Sequence, residues 1–294
     1  MVIFHADDYG ILPNLSENIL QCVKRGAINS VSIMVNSKCL EECMHLLEDR
    51  DDLLRTVHLN VVEGYALSSY GKVKGLVNEK GMFTPSFGKY LIISFIPGLR
   101  KKYFSYFYNE IDSQIDKAMP YINSEAVRLD SHGHYHMLPV FFDAMMKVVE
   151  DRELKVEYIR MPREMIKFYK SARVGVLPIN MIKVAILNLL YRINYGKHKK
   201  KLAETKQAVF MGVMLSGHMN YEDVSKVLPF AKKYADANGC DVELLFHPGG
   251  THDKNEIEQV TFKADREFFL SENRGIEAEA CEKIKSENGF LCKP

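Results

Sequence analysis

The sequence lacks the features that mark several broad classes of protein. Its 294 residues carry a formal net charge of only +1, which excludes a global electrostatic field that would recruit nucleic acid or an anionic membrane. Its six cysteines are scattered without a CxxC pair. In a chain of this length that spacing indicates reduced thiols in a cytosolic protein and argues against a disulfide framework or a zinc knuckle.

Long hydrophobic runs are also missing. Residues 181–191 are strongly apolar, but Lys183 interrupts them, and the stretch falls short of the ~20 residues that span a bilayer. The N-terminus has neither the basic segment nor the apolar stretch of a secretory signal. We therefore expect a cytoplasmic protein, with residues 181–191 in a buried helix or in the contact of a homodimer.

What is present is the balance of a soluble globular protein with a sizeable core, because 47% of the residues are hydrophobic and 26% are charged. Short apolar runs alternate with helical patterns, which predicts right-handed βαβ units and a mainly parallel sheet. The predicted strands are residues 2–4, 30–35, 56–59, 126–129, 158–161, 209–215 and 242–246. The predicted helices lie near residues 16–25, 40–48, 106–119, 140–150, 221–237 and 260–269.

About seven such units predict a single α/β domain over residues 1–294, folded as a (β/α) barrel that is either imperfect or incompletely closed. Two stretches, residues 63–100 and 171–207, lie outside the repeat. Insertions on the catalytic side of a barrel commonly shape substrate access. The first is therefore the better candidate for a lid, whereas the second is at least as well explained as ordinary connecting structure.

The residues able to do chemistry stand at the ends of predicted strands. Asp7 and Asp8 follow the first strand and His58 closes the third. His132 follows the fourth and His247 ends the seventh. Because the carboxyl ends of parallel strands meet at one mouth of a barrel, these distant residues are expected to gather there.

This set predicts a metal-dependent hydrolase. Asp8, His58 and His132 would supply one anionic oxygen and two neutral nitrogens, which leaves coordination positions open for water and substrate. Successive side chains of a strand alternate sides, so Asp8 could hold the ion while Asp7 stays free to accept a proton. His247, from the opposite side of the barrel, fits the acid that protonates the leaving group.

Structural alternatives stand beside these assignments. Taken alone, Asp7 and Asp8 could form a turn with a helix N-cap, and His58 could be a hydrogen-bonded core histidine. The histidines at the end of the fourth predicted strand are harder to explain structurally. His132, His134 and His136 occupy every second position and would share one strand face. Three buried imidazoles are costly without a purpose, although one or two of them could serve only as outer-shell or substrate contacts.

Four segments resemble the motifs of the YdjC-like carbohydrate deacetylases, a family that includes the chitooligosaccharide deacetylases. In chain order they are His5-Ala6-Asp7-Asp8-Tyr9-Gly10, Val57-His58-Leu59-Asn60 with Glu63-Gly64, Asp130-Ser131-His132-Gly133-His134-Tyr135-His136, and Phe246-His247-Pro248-Gly249. The resemblance covers residue 2 to about residue 270. It implies a deformed barrel, a divalent ion on an Asp/His/His triad and hydrolytic removal of acetyl from N-acetylated sugars. It places the metal ligands at Asp8, His58 and His132 and the catalytic base at Asp7.

A looser similarity reaches the polysaccharide deacetylases of the NodB type. In that group an Arg-x-Pro motif steadies the base and a Leu-x-His motif carries the acid. Arg160-Met161-Pro162 and Leu245-Phe246-His247 match these patterns. The similarity therefore implies a supporting role for Arg160 and an acid role for His247.

Together, the residues and the resemblance predict a cytoplasmic enzyme that uses one divalent ion, Mg²⁺ or Zn²⁺, to deacetylate a small N-acetylated sugar or oligosaccharide. No nucleic acid or membrane partner is expected. One alternative is another metal-dependent hydrolase such as a phosphoesterase, which the lack of a Gly-rich phosphate loop and of a second carboxylate-rich metal site disfavours. Another is a non-catalytic sugar or metal sensor, which would have no use for a free base at Asp7.

Overall fold

A computed structural model describes residues 1–288 and shows one seven-stranded sheet in which every pairing is parallel. The strand order is β5-β4-β3-β2-β1-β7-β6. The strands are β1 (Val2–Tyr9), β2 (Ser30–Ile33), β3 (Leu54–Leu59), β4 (Val127–Ser131), β5 (Val156–Ile159), β6 (Ala208–Met211) and β7 (Asp241–Phe246).

Helices connect and surround the strands. The α-helices are α1 (Pro13–Lys24), α2 (Leu40–His45), α3 (Tyr70–Val73), α4 (Phe87–Ile93), α5 (Pro97–Ala118), α6 (Pro139–Asp151), α7 (Ile166–Ala172), α8 (Pro178–Leu202), α9 (Tyr221–Asn238), α10 (Lys254–Ile257), α11 (Lys263–Phe269) and α12 (Asn273–Asn288). Two 3₁₀ helices span Met119–Tyr121 and His132–Met137. All seven predicted strands are present, as are helices at the six predicted positions.

The sheet curls until its edge strands almost meet. The edges β5 and β6 come together at a single parallel bridge between Tyr158 and Lys206, where the Lys206 backbone N–H donates to the Glu157 carbonyl at 2.8 Å. The prediction of a deformed, incompletely closed barrel is therefore confirmed.

The barrel interior is polar, which is unusual for a buried core. Arg160 follows β5, yet its guanidinium contacts Glu243 of β7 at 2.9 Å and Asp7 of β1 at 2.9 Å. Strands that are not neighbours in the sheet can exchange such contacts only through the interior. The alternate residues of the same strands, such as Phe4 of β1 and Leu244 of β7, are apolar and belong to the hydrophobic core between sheet and helices.

Two strand boundaries differ from the predicted ones for identifiable reasons. β1 extends to Tyr9, well past residue 4, because a bulge keeps the chain beside β2. β6 ends at Met211, short of residue 215. There the backbone N–H groups of Gly212 and Met214 donate to a carboxylate oxygen of buried Glu164, at 3.1 and 3.0 Å, instead of to a neighbouring strand.

The two predicted insertions have distinct structures. Residues 63–100 contain α3, α4 and the start of α5, and residues 171–207 are dominated by the 25-residue helix α8. Within residues 1–288 no helix is both long and apolar enough to cross a bilayer. Five of the six cysteines are free thiols, whereas Cys292 and the last six residues of the predicted 1–294 domain lie outside the described residues.

Candidate active site

A cleft of about 500 Å³ opens at the carboxyl ends of the strands. Asp7, Asp8, His132 and His247 line it, and the imidazole of buried His58 lies directly behind Asp8. The gathering of these residues at one mouth, which the strand ends predicted, is thus observed.

Asp7 and Asp8 reach the same cleft, so the prediction that strand alternation sends them to opposite sides is wrong. The register between β1 and β2 gains a residue between Ala6 and Tyr9, which is a β-bulge. Asp8 sits at its centre in the left-handed region, with φ 68°. A non-glycine residue in that region is uncommon and strained, and here the strain turns the second carboxylate back towards the first.

Asp8, His58 and His132 form a compact group of potential ligands, with one donor atom from each lying within 4.8 Å of the others. The Asp8 carboxylate is 2.7 Å from Nδ1 of His132 and 3.4 Å from Nε2 of His58. All three side chains are buried. The three predicted ligands are therefore brought together.

The orientation of His58 fits a metal ligand. Its Nδ1 donates to the Asp130 carboxylate at 2.7 Å, while its buried Nε2 has no hydrogen-bond partner and faces Asp8. A carboxylate on the far ring nitrogen is the usual support of a metal-bound histidine. Burial lowers the pKa of His58, but Asp130 and Asp7 outweigh burial and raise it to about 9.

His132 is held between two carboxylates. Its Nδ1 contacts Asp8, and its Nε2 lies 3.0 Å from Asp265 of α11. Burial opposes a charge on this ring, but Asp265 and Asp8 raise its pKa well above the usual range. The surroundings of His58 and His132 thus favour positive charge, as a site built for a cation should.

The three histidines of the 132–136 segment do not share a strand face, so that prediction is wrong. β4 ends at Ser131, and the chain turns into a 3₁₀ helix with positive φ at Gly133 (55°) and His134 (58°). His136 points away from the cleft: its Nε2 donates to the Arg160 carbonyl at 2.8 Å, and its Nδ1 contacts the Ser131 hydroxyl at 2.6 Å. His134 lines the cleft wall, with a buried Nδ1 that lacks a partner.

Asp7 is held as a carboxylate by Arg160. Both Asp7 oxygens lie 2.9 Å from Nη1 of Arg160, and His5 adds a contact at 3.3 Å. Burial raises the pKa of Asp7, but Arg160, His58 and His5 outweigh burial and hold it well below its usual range. The guanidinium is fully buried and also contacts Asp130 and Glu243.

A second acidic group with metal-like spacing, His5, Asp7 and Asp130, lies deeper in the barrel. Its positive partner is already present, because Nη1 of Arg160 is 2.9 Å from both Asp7 and Asp130. The Ser32 hydroxyl also donates to Asp130. This group is a positioning network for Asp7, and the Asp8 group is the better candidate for an ion.

His247 lies on the cleft wall beside the acids. It follows β7, which pairs directly with β1, so the expectation that it comes from the opposite side of the barrel is wrong. Its backbone N–H donates to Glu277 at 2.7 Å, and its ring packs edge-on against Phe268 with centroids 4.9 Å apart. Burial, which Asp8 and Asp7 only partly offset, lowers its pKa to about 4. The ring is therefore neutral at pH 7.

Three residues that contact the candidate site residues were missed from the sequence. Asp130 had a readable signal, because it lies on β4 two residues before His132 and pairs in register with His58. Glu243 stands between apolar residues of β7, and its burial beside Arg160 explains its presence. Asp265 had no signal, since it reaches the site only through the packing of α11.

The outer walls of the cleft are mostly apolar. Both insertions contribute: Phe87 comes from α4, and Lys183, Ile186 and Leu187 come from α8. The second insertion therefore does more than connect the strands beside it.

A parallel barrel with a buried carboxylate–imidazole group at the carboxyl ends of its strands is the class of protein that the fold and the site define. The family model described as YdjC-like protein matches residues 1–283. The chain belongs to the YdjC-like family.

Curated relatives agree with this assignment. A carbohydrate deacetylase of Thermoanaerobacter pseudethanolicus is 29% identical over 165 residues, which cover 56% of this chain and 63% of that protein. One from Clostridium beijerinckii is 24% identical, over 54% of this chain and 60% of that protein. The human carbohydrate deacetylase is 24% identical, over 55% of this chain and 49% of that protein. The chain thus spans about half to two thirds of the length of these relatives.

A solved structure shows the same fold. That of a candidate cellobiose-phosphate cleavage protein from Enterococcus faecalis superposes with a TM-score of 0.60 at 17% sequence identity, covering 96% of this chain and 94% of that one. At this identity the likeness bears on the fold alone.

Proposed function

We propose that the protein is a metal-dependent hydrolase that removes acetyl groups from N-acetylated sugars or oligosaccharides. One observation carries the proposal: Asp8, His58 and His132 converge within 4.8 Å beside a second carboxylate, Asp7, that belongs to a separate network. A site for binding alone would need the first three residues but not the fourth. The acetylated sugar is inferred from the name carbohydrate deacetylase, which the curated relatives carry.

Asp8, His58 and His132 would hold one divalent ion, to which the unpaired Nε2 of His58 and its Asp130 support are suited. Such an ion polarises a carbonyl and lowers the pKa of a bound water. Two imidazoles suit zinc, whereas magnesium prefers an oxygen-rich shell.

Asp7 would take the proton from the attacking water. Arg160 grips both of its oxygens at 2.9 Å, so the carboxylate is fixed in place and ionised at neutral pH. A base held in this way gains from position more than from basicity. Arg160 is thus a positioning residue that acts through Asp7.

His247 would deliver a proton to the leaving nitrogen. Since its pKa of about 4 makes it neutral at pH 7, the ring would take up one proton from solvent in the cleft as negative charge develops on the substrate, and would pass that proton to the leaving nitrogen. The proton from the attacking water would stay on Asp7 until it returns to solvent. An amine leaves poorly unless it is protonated, so this step matters for an amide substrate.

The side chains that line the cleft suit a sugar substrate, because they offer both apolar surface and a polar contact. Phe87, Phe262 and Phe268 line the cleft, and the unpaired Nδ1 of His134 is available to a polar group of the substrate. A phosphoesterase is the weaker candidate, because Arg160 already neutralises the second acidic group that a two-metal reaction would use. The cytoplasmic location stays a prediction.

The test is acetate release from a panel of N-acetylated mono- and oligosaccharides. Protein treated with a chelator should be inactive, and one equivalent of Zn²⁺ or Mg²⁺ should restore turnover. Failure of every panel member with metal-loaded protein would contradict the activity. Full activity after chelation would contradict the metal dependence.

A further inference from the structure

The two insertions flank the mouth of the cleft and extend beyond it. Phe87 of α4 and Ile186 of α8 both line the cleft. The two insertions also meet at Asp143 of α6, which contacts Arg100 of the first insertion and both Lys197 and His198 of the second. Their outer surfaces therefore lie around the same opening.

Helix α8 exposes an apolar stripe to solvent. Ile179, Ile182, Ile186 and Leu189 recur at intervals of three or four residues, which places them on one helix face, and they are between 37% and 56% exposed. The buried side of the same helix, including Val184 and Leu190, packs on the protein. The stripe thus adds nothing to the core.

The first insertion carries a matching surface. Ile92 and Phe95 are 63% and 59% exposed, and Ile96 and Leu99 follow them. Within residues 1–288, twelve of the eighteen exposed large hydrophobic side chains lie in the two insertions. Apolar surface concentrated in this way marks an interaction site.

The charge of these segments is of one sign. Residues 80–109 contain five Lys or Arg, and residues 165–203 contain nine, with no Asp or Glu in either segment. The remaining residues therefore carry a formal charge of −13. The overall net charge of +1 conceals this asymmetry, and Lys89, Lys183 and Lys199 are all exposed on the basic side.

We propose that this face docks the cleft onto an anionic lipid bilayer, and that the substrate is an N-acetylated sugar anchored in that bilayer. An exposed apolar helix stripe flanked by lysines, in a chain without a spanning helix in residues 1–288, has the chemistry of a helix that lies in the membrane interface. The substrate half of the proposal rests on the proposed function. The docking half does not.

A second copy of the chain fits this face less well. A two-fold contact brings the same surface of both copies together, so the basic segment of one copy would meet that of the other, and such like-charge contacts are costly. Docking on a bilayer departs from two sequence-based expectations: a homodimer contact through residues 181–191, and the absence of a membrane partner.

Vesicle flotation tests the docking directly. The full chain should float with phosphatidylcholine vesicles that contain 30% phosphatidylglycerol, should stay behind with phosphatidylcholine alone, and should be released by high salt. Replacing Lys199, Lys200 and Lys201 by Glu should weaken binding to the anionic vesicles by at least about 100-fold. A matched variant with Lys226, Lys232 and Lys233 of α9 replaced by Glu should bind as the parent does.

The apolar contribution has its own pair of variants. The Ile182→Ser/Leu189→Ser double variant should lose flotation, while Ile276→Ser on α12, where the side chain is similarly exposed, should keep it. Unchanged flotation of both loss-of-binding variants, or absence of flotation by the folded parent, would overturn the docking proposal. So would a dimer of the parent that these variants convert to monomers.

Activity assays separate the docking half of the proposal from the substrate half. The Ile182→Ser/Leu189→Ser variant should deacetylate a soluble N-acetylated oligosaccharide as the parent does, yet lose at least 10-fold on an N-acetylglucosaminyl lipid embedded in the anionic vesicles. Flotation without deacetylation of the embedded lipid by an enzyme active on the soluble sugar would overturn the substrate class and leave the docking in place. Inactivity on both substrates would instead contradict the proposed function.

Discussion

Replacing Asp7 by Asn separates the base from the metal site. Asparagine keeps the size of the side chain and one oxygen acceptor for Arg160, but it cannot accept a proton from water. Turnover of an N-acetylated sugar should therefore fall by about 10²–10⁴-fold. Because Asp7 lies outside the Asp8, His58 and His132 group, bound metal should remain.

The folded state should survive this substitution. Arg160 retains Asp130 and Glu243 as buried partners, so the loss is about one charge-assisted hydrogen bond, or ~2 kcal/mol. At roughly 2–4 °C per kcal/mol, the Tm should fall by roughly 4–8 °C. Differential scanning calorimetry checks this, and the exposed substitution Asp116→Asn is a control for the loss of a carboxylate.

The paired variant is Asp8→Asn, which removes the anionic ligand. Its metal affinity should fall by more than the 10–100-fold expected for losing an outer-shell partner, and its activity should follow the metal. Isothermal titration with Zn²⁺ and acetate release would be measured on both variants. If Asp7→Asn lost the metal, or kept full turnover, the division of roles between the two acids would be refuted.

Four further predictions concern the histidines. His247→Ala should cost about 10²–10⁴-fold on an N-acetyl sugar and much less on an aryl acetate, with metal content unchanged; equal losses on both substrates would assign His247 to positioning. His132→Ala should abolish metal binding, whereas His134→Ala and His136→Ala should mainly weaken activity, and equal metal loss in all three would contradict the ligand set. Before an ion binds, burial lowers the pKa of His58 but Asp130 and Asp7 raise it to about 9, so Zn²⁺ affinity should rise between pH 6 and 9 with proton release in calorimetry. Because the folded-state pKa of His58 lies above its unfolded value, its contribution to stability without metal is full below pH ~6.5 and is lost towards pH 9. The Tm difference between the parent and His58→Gln, measured in chelator, should therefore shrink as the pH rises. A difference of zero across that range would argue against a charged His58.

The strand ends could be read from the sequence because apolar runs followed by polar residues mark the carboxyl edge of a parallel sheet. That pattern was enough to gather Asp8, His58 and His132. It also identified the seven strands, whose order and near-closure then follow from the βαβ connections.

Local backbone departures could not be read in the same way. The bulge at Asp8 depends on the register with β2, and the turn after β4 requires positive φ at Gly133 and His134. A strict two-residue period assumes neither, so it misplaced Asp7 relative to Asp8 and His134 relative to His132. Asp265 depends on tertiary packing of α11, which no local pattern records.

Charge and exposure show a similar limit. Residues 165–203 contain no Asp or Glu, which can be seen in the sequence. The net charge of the whole chain does not reveal this local excess of basic residues, because acidic residues elsewhere cancel it. Only the structure shows that α8 turns one apolar face to the core and another to solvent beside the cleft.

The position of a bound metal tests the proposed site most directly. Crystals grown with zinc should give one anomalous peak within ~2.0–2.3 Å of a carboxylate oxygen of Asp8 and a ring nitrogen of both His58 and His132. Asp130 should remain hydrogen-bonded to Nδ1 of His58. A peak among His5, Asp7 and Asp130 instead, or His58 turned away from an ion held elsewhere in the cleft, would contradict the metal site on which the proposed deacetylase activity depends.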